Sequence, residues 1–161
     1  MTGIIQNVAD TWSSIYSNSP AIKSALSFAH IGGLVGGGGC AIAADRATLK
    51  ALRRPMAEAA QRIEELHSVH GIVIVGLTFV TLSGLLLALA DLDSYLQSTI
   101  FWVKMACVVA LFANGILVMR AGTRVHGGDE AARGALKFAC VASLALWFAT
   151  TLIGATLPNV L

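Results

Sequence analysis

A run of glycines inside an apolar segment is the feature that most limits what this chain can fold into. The segment from His30 to Arg46 reads HIGGLVGGGGCAIAADR and holds six glycines. In water each glycine in a helix costs roughly 1 kcal/mol relative to alanine, so such a run would form a flexible loop. In a lipid bilayer the run stays helical, because no backbone N–H or C=O group can remain unpaired there. The segment therefore predicts a membrane helix.

Composition agrees with a membrane protein. The 161 residues are 56% hydrophobic and only 12% charged, with a mean hydropathy of +0.74, whereas soluble domains carry about 25% charged residues. We therefore expect a single membrane domain over residues 1–161. A net charge of +2 is too small to indicate a nucleic-acid partner. The three cysteines all lie in apolar runs, which is typical of small packing residues and not of disulfides.

Four segments are long and apolar enough to cross a bilayer, which takes about 20 residues per helix. The predicted spans are residues 22–44, 68–90, 99–119 and 135–156, and a polar helix interrupted near Pro55 joins the first two. Residues 1–19 carry apolar side chains at helical spacing, with Trp12 and Tyr16 suited to the headgroup level. The predicted fold is all-α: an antiparallel bundle of four transmembrane helices, preceded by a short amphipathic interfacial helix.

The basic residues predict an orientation. Nine of the eleven Lys and Arg residues lie in the first and third loops: Arg46, Lys50, Arg53, Arg54 and Arg62, then Arg120, Arg124, Arg133 and Lys137. Cytoplasmic loops carry such an excess of positive charge. We therefore expect a multi-pass protein of the bacterial inner (cytoplasmic) membrane with both termini on the periplasmic side.

Small residues predict where helices meet. On the first span, Gly32 with Gly36 and Gly33 with Gly37 have the four-residue spacing that lets two backbones approach closely. On the fourth span a comparable stripe of small and polar side chains surrounds Trp147. Such stripes favour helix packing within the chain, with a second copy in a homo-oligomer or with a partner membrane subunit. A flat cofactor lying against the glycines is the alternative.

Two basic side chains lie inside predicted spans. At ~1.5 Å per helical residue, His30 and Lys104 both lie roughly 8–12 Å below the outer surface, so packing can bring them to one level. Ionisable residues at this depth are rare and often mark functional sites. The structural alternatives are that His30 bonds a Ser or Thr on a neighbouring helix and that Lys104 extends its amine to the headgroups.

A second polar group lies where the first loop becomes the second span. Glu64, His67 and His70 are spaced three apart and share a helix surface, and His126 lies in the other basic loop. Imidazole and carboxylate together suit zinc, iron, copper or nickel, which predicts a candidate metal site of these four residues. His67 or His70 is also a candidate haem ligand. The alternative is that they are polar residues at the membrane boundary.

The chain resembles small four-helix bacterial membrane proteins of largely uncharacterised function. The resemblance rests on His30 with its glycine-rich continuation to Arg46, and on Trp102-Val-Lys104 opening a helix that ends Asn114-Gly115. More remotely, the chain is similar to the copper-resistance protein D and HemJ-type families. HemJ-type proteins bind haem b and use a first-helix histidine and a third-helix lysine, which by resemblance are His30 and Lys104. The tryptophan and Leu-Pro-Arg pattern of HemJ does not follow His30.

Three functional hypotheses follow. The first is a b-type haem protein in membrane electron transfer or haem handling. His30 lies roughly 20 Å from the cytoplasmic end of its helix and His70 only about one turn in, so the two cannot easily share one macrocycle. Lys104 would then complete an outer site and His67, His70 or His126 an inner one. The second is a non-catalytic membrane subunit or assembly protein without a cofactor. The third is a metal-binding membrane protein. No nucleophile with its base, phosphate loop or Cys-x-x-Cys indicates an enzyme class.

Overall fold

The computed structural model describes residues 2–66 and 69–159, and within them all regular structure is helical. The α-helices are α1 (Thr2–Asn18), α2 (Pro20–Gly33), α3 (Gly39–Ala51), α4 (Met56–Leu66), α5 (Val69–Leu89), α6 (Leu92–Gln97), α7 (Thr99–His126) and α8 (Ala132–Thr156). A π-helical segment, Leu34–Gly38, joins α2 to α3, and a 3-10 turn, Leu157–Asn159, follows α8.

Four helices are long and apolar enough to cross a membrane: Pro20–Ala51, Gly71–Leu89, Thr99–His126 and Ala132–Asn159. The chain is therefore a multi-pass membrane protein by length and composition. The first of these helices has 32 residues, or about 48 Å, which exceeds a hydrocarbon core of about 30 Å. It runs past the predicted boundary at residue 44 because the polar residues after it continue the helix without a break.

The long helices begin and end where local chemistry requires. The hydroxyl of Ser19 accepts a hydrogen bond from the Ile22 amide at the start of α2, and Ser98 does the same for Phe101 at the start of α7. The helical structure is interrupted before Pro55, because proline lacks an amide hydrogen, and α4 starts at the next residue.

The connection between α7 and α8 is a turn held by an ion pair. Gly128 has a φ of 87°, a conformation that favours glycine. Arg124 donates to the Asp129 carboxylate at 2.9 Å, and this hydrogen bond holds the pKa of Asp129 below its usual range. Arg133 then donates to the Arg54 carbonyl at 2.8 Å. The α3–α4 and α7–α8 connections therefore lie together, at what we call the α4 end of the molecule.

The long helices pack as two pairs. α2 and the π segment lie on α5, and α7 lies on α8. The pairs are joined towards the α4 end, where α3 packs on α8 and α4 packs on both α3 and α7. Further from the α4 end, α2 has no comparable packing on α7 or α8 in the described part of the chain. The two pairs therefore share a core at one end and are less tightly joined at the other.

Glycines set the contact inside the first pair. A Cβ atom built on Gly37 would lie 2.8 Å from Gly76 Cα, and one on Gly76 would lie 2.4 Å from Gly37 Cα. Neither position has room for a methyl group. Gly33 faces the same part of α5: a Cβ atom built on it would lie 3.0 Å from Gly76 O. The predicted packing role of Gly33 and Gly37 is confirmed.

Consecutive glycines in the π-helical segment face different neighbours. Gly37 meets α5, whereas Gly38 meets the indole ring of Trp147 on α8, 3.0 Å from a built Cβ. Gly32, Gly36 and Gly39 have nothing within 4 Å of a built Cβ. The pair Gly32 and Gly36, which has the same spacing as Gly33 and Gly37, therefore does not face another helix closely among the described residues.

Candidate functional site

His30 lies on α2 with its ring against α5. Its Nδ1 is 3.0 Å from the hydroxyl oxygen of Ser83, a residue that is only 4% exposed. The Ser83 hydroxyl also lies within hydrogen-bonding distance of the Phe79 and Val80 carbonyls, which can only accept. The one hydroxyl proton is thus directed to the backbone, and the Ser83 oxygen accepts from His30 Nδ1–H.

This hydrogen bond determines the tautomer of the imidazole. A neutral ring that carries its proton on Nδ1 has its lone pair on Nε2. Gly84, next to Ser83, lies beside the same edge of the ring: a Cβ there would be 3.1 Å from His30 Cε1 and 3.5 Å from Nδ1. Ser83 and Gly84 therefore hold the Nδ1–Cε1 edge of the ring against α5, and the ring also makes a hydrogen bond to the Val80 backbone. Nε2 is the nitrogen that the Ser83 contact does not use.

The Ser83 contact is the structural alternative predicted for His30, a bond to a hydroxyl on a neighbouring helix. It does not compete with ligation, since ligating histidines almost always use the second ring nitrogen in such a bond. The same geometry therefore suits a packing role for His30 and a role as a ligand. The two roles differ only in whether Nε2 binds a metal.

Lys104 lies on α7 and is half-buried. Its ammonium group packs on Gly154 of α8, where a built Cβ would lie 3.3 Å from Nζ. Lys104 is also close enough to His30 for the two side chains to interact electrostatically. The fold thus brings His30 and Lys104 into one neighbourhood from opposite helix pairs, each resting on a glycine of its own pair.

The second predicted group is only partly described. His126 Nδ1 lies 3.5 Å from Glu64 Oε2, with both side chains more than half exposed. They border a cavity of about 150 Å³ between α4 and α7. His67 and the side chain of His70 lie outside the described part of the structure. Among the described residues, no group of three His, Cys, Asp or Glu side chains is placed to hold a metal ion.

Sequence reasoning overlooked Asp45. Its side chain is 6% exposed, its carboxyl accepts a hydrogen bond from the Cys140 thiol, and it lines a cavity of about 80 Å³ with Ser143 and Trp147. The buried residues Gly38, Ala41, Asp45 and Thr48 follow a three–four–three spacing, which marks one helix face. That spacing was the available signal, but the predicted first span ended at residue 44 and left Asp45 outside it.

Comparison with known proteins adds no family to this description. No family model, no curated protein and no solved structure matches the chain.

The metal hypothesis leads to a direct prediction. Two histidines at a membrane boundary usually serve only as polar residues there. We therefore expect a protein with both His67 and His70 replaced by alanine to carry the same metal content as the wild type. Elemental analysis of both purified proteins measures this, with circular dichroism as the check on folding. Stoichiometric metal in the wild type that disappears from the folded double variant would instead assign these histidines as ligands.

Proposed function

We propose that this membrane protein binds haem b through His30 and works in membrane electron transfer or haem handling. The observation that carries the proposal is the hydrogen bond from His30 Nδ1 to Ser83 Oγ at 3.0 Å. It directs the Nε2 lone pair away from α5. Haem iron is commonly held by a neutral histidine whose other ring nitrogen is anchored in this way.

The uncovered part of α2 is where a flat apolar group could approach His30. The His30 ring fills the space beside Gly84, whereas the part of α2 away from the α4 end is not covered by α7 or α8 in the described residues. The cavities of about 80 and 150 Å³ are too small for a macrocycle and are lined by other residues. The proposed ligand position is therefore between the two helix pairs, at the level of His30.

The amine of Lys104 is the proposed second nitrogen ligand of the haem, at the same level as His30. Its amine comes from α7, on the opposite pair, and Gly154 leaves space for it against α8. When bound, haem supplies a one-electron redox couple whose potential depends on its axial ligands and their hydrogen bonds. His30, with its proton held by Ser83, would hold the iron as a strong neutral ligand, and Lys104 would supply a second, weaker nitrogen ligand.

An optical spectrum tests this function. The full chain, expressed with ample haem and solubilised in mild detergent, should show a Soret band with about one haem per protein, as expected for a single histidine site. A colourless preparation would contradict the proposal.

A second candidate is a non-catalytic membrane subunit or assembly protein without a cofactor. It is favoured by two open glycines, Gly32 on α2 and Gly36 in the π-helical segment. Neither has a described residue of another helix within 4 Å of a built Cβ, and the apolar neighbours Phe28 and Val35 are 80% and 68% exposed. Small residues at this spacing let a helix of a second copy or of a partner approach closely. A colourless protein that is dimeric in detergent would support this candidate.

We further propose that the bundle is antiparallel, with the α4 end in the cytoplasm of a bacterial cell, both termini outside, and α1 at the outer interface. The charge distribution supports this orientation. The α4 end carries the basic loops. Trp12 of α1 donates to the Leu86 carbonyl at 2.8 Å, near the opposite end of α5, and an indole at that level suits the headgroup region.

Cysteine labelling tests the orientation. In a background in which Cys40, Cys107 and Cys140 are replaced by alanine, single cysteines at Asn7 and Asp93 should react with a membrane-impermeant maleimide on intact cells. Cysteines at Arg53 and Glu130 should react only after permeabilisation, because positively charged loops remain in the cytoplasm. The reverse pattern would invert the orientation and exchange the sides of both polar groups.

A further inference from the structure

The cavity between α4 and α7 has the size of a single ring compound. Its volume is about 150 Å³, and an apolar cavity of roughly this volume holds one benzene ring. Among the described residues, its apolar wall is formed by side chains of α4, α7 and α8: Ile63, Leu66, Val118, Met119 and Leu136. These side chains surround the space that a six-membered ring requires.

A glycine keeps this cavity open. Gly122 of α7 lies in the wall, and a Cβ atom built there would meet Ile63 Cγ2 at 3.8 Å, an ordinary van der Waals distance. Gly37 and Gly76 differ, because the backbone of the partner helix fills the space beside each of them. Among the described residues, Gly122 therefore serves no close helix contact, and the space that its missing side chain leaves belongs to the cavity.

Two polar side chains at the border of the cavity accept hydrogen bonds. Glu64 Oε2 lies 3.5 Å from His126 Nδ1, and both side chains are more than half exposed. This distance is long for a hydrogen bond, so each group retains capacity for a further partner. A carboxylate can only accept hydrogen bonds. A ligand group that binds Glu64 must therefore carry an O–H or an N–H.

The surrounding charge disfavours a cationic donor. The loops at the α4 end carry nine Lys and Arg side chains against six Asp and Glu side chains. An ammonium ligand would be repelled by this excess of positive charge. A neutral hydroxyl group is the donor that suits the border of the cavity.

The cavity borders both the membrane and the water. Met119 lies in the apolar helix Thr99–His126 and is 42% exposed, whereas Glu64 and His126 are exposed at the α4 end. A molecule with an apolar ring and one polar group matches these surroundings, since the ring is removed from water while the polar group stays at the border.

We propose that this cavity binds a neutral ring compound that carries a hydroxyl group, of the phenol class. The ring lies between α4 and α7, and the hydroxyl donates a hydrogen bond to Glu64. Binding is reversible and non-covalent. A rigid ring loses little conformational entropy on binding, which favours it over a flexible chain of the same volume. The site goes beyond the proposed haem function and shares no residue with His30 or Lys104.

Fluorine NMR of the full chain in lipid nanodiscs tests this site with two matched probes. Para-fluorophenol and fluorobenzene have the same ring, but only the first carries a hydroxyl group. Empty nanodiscs of the same lipid correct for partitioning into the bilayer. We expect saturable binding of para-fluorophenol, about 3–10-fold tighter than that of fluorobenzene, because one hydrogen bond is gained. No saturable binding of para-fluorophenol, or equal affinity for the two probes, would overturn the proposal.

A filled cavity tests the location. Gly122→Val places a side chain in the cavity and should abolish saturable binding of para-fluorophenol. Gly134→Val makes the same change at an exposed glycine of α8 with nothing within 4 Å of a built Cβ, and should bind as the wild type does. Circular dichroism checks the folding of both variants. Retained binding in folded Gly122→Val would refute this location.

A second matched pair tests the hydrogen bond, and it does not depend on how Gly122→Val folds. Glu64→Ala should weaken binding of para-fluorophenol about 3–10-fold. Glu58→Ala, at another exposed carboxylate of α4, should leave the affinity unchanged. Equal affinities in these two variants would refute the role of Glu64. Binding is measured equally well in colourless protein and in His30→Ala, so its outcome is separate from that of the haem experiment.

Discussion

Replacing His30 by alanine is expected to remove most of the haem from the purified protein. The imidazole is the one strong neutral ligand proposed at this level, and its Nδ1–H bond to Ser83 at 3.0 Å keeps Nε2 directed outward. Ser83→Ala should retain the ligand but lower haem affinity by about 10–100-fold, because an anchoring hydrogen bond that orients a ligating histidine typically contributes that much. Titration of the Soret band against haem concentration measures both effects.

The controls for this prediction come from the same chain. His126→Ala removes an exposed imidazole at the α4 end and should leave the Soret band unchanged. Lys104→Ala should shift the spectrum without always abolishing binding, whereas Lys23→Ala should not shift it, since Lys23 lies over the Tyr16 ring at 5.7 Å. Full haem content in His30→Ala would show that His30 is only a packing residue bonded to Ser83.

The second large effect is expected at the glycine contact between α2 and α5. Gly37→Ala should lower the free energy of unfolding by about 1–3 kcal/mol or more, as overpacking does in a close-packed interior. The added methyl group would meet the Gly76 backbone at 2.8 Å, and backbone atoms cannot move aside as a flexible side chain can. Gly76→Ala should have a similar effect from the other helix.

Gly36→Ala is the matched control, one residue away on the same helix. Nothing lies within 4 Å of its built Cβ, so the substitution should be neutral or should stabilise the helix by up to about 1 kcal/mol. Thermal unfolding in one detergent, followed by circular dichroism, compares the variants. Equal midpoints for Gly36→Ala and Gly37→Ala would contradict the α2–α5 contact.

The sequence could not decide which glycines pack. Gly32 with Gly36 and Gly33 with Gly37 have identical spacing, so either pair satisfies the pattern for close helix approach. The choice depends on Gly76, a partner far along the chain that lies opposite only the second pair. Local spacing describes the face of one helix, whereas the contact depends on which face of another helix is presented to it.

Both polar sites show the same limit. His30 was recognisable as an intramembrane imidazole, but its tautomer follows from Ser83, 53 residues away. Asp45 was not singled out because the predicted first span ended at residue 44, whereas α3 continues to Ala51 and Asp45 lines a cavity together with residues of α8. A helix boundary shifted by two turns thus moves a carboxyl from the membrane surface to the interior.

The sequence by itself determined the membrane class, the four long apolar helices, and the interruption before Pro55. These properties depend on local hydrophobicity, on chain length relative to bilayer thickness, and on the missing amide of proline. Only the tertiary structure decided that Gly37 meets Gly76, that Ser83 holds His30, and that Asp45 borders a cavity. Each of these is a contact between residues distant in sequence, and its existence depends on how whole helices rotate and pack against one another.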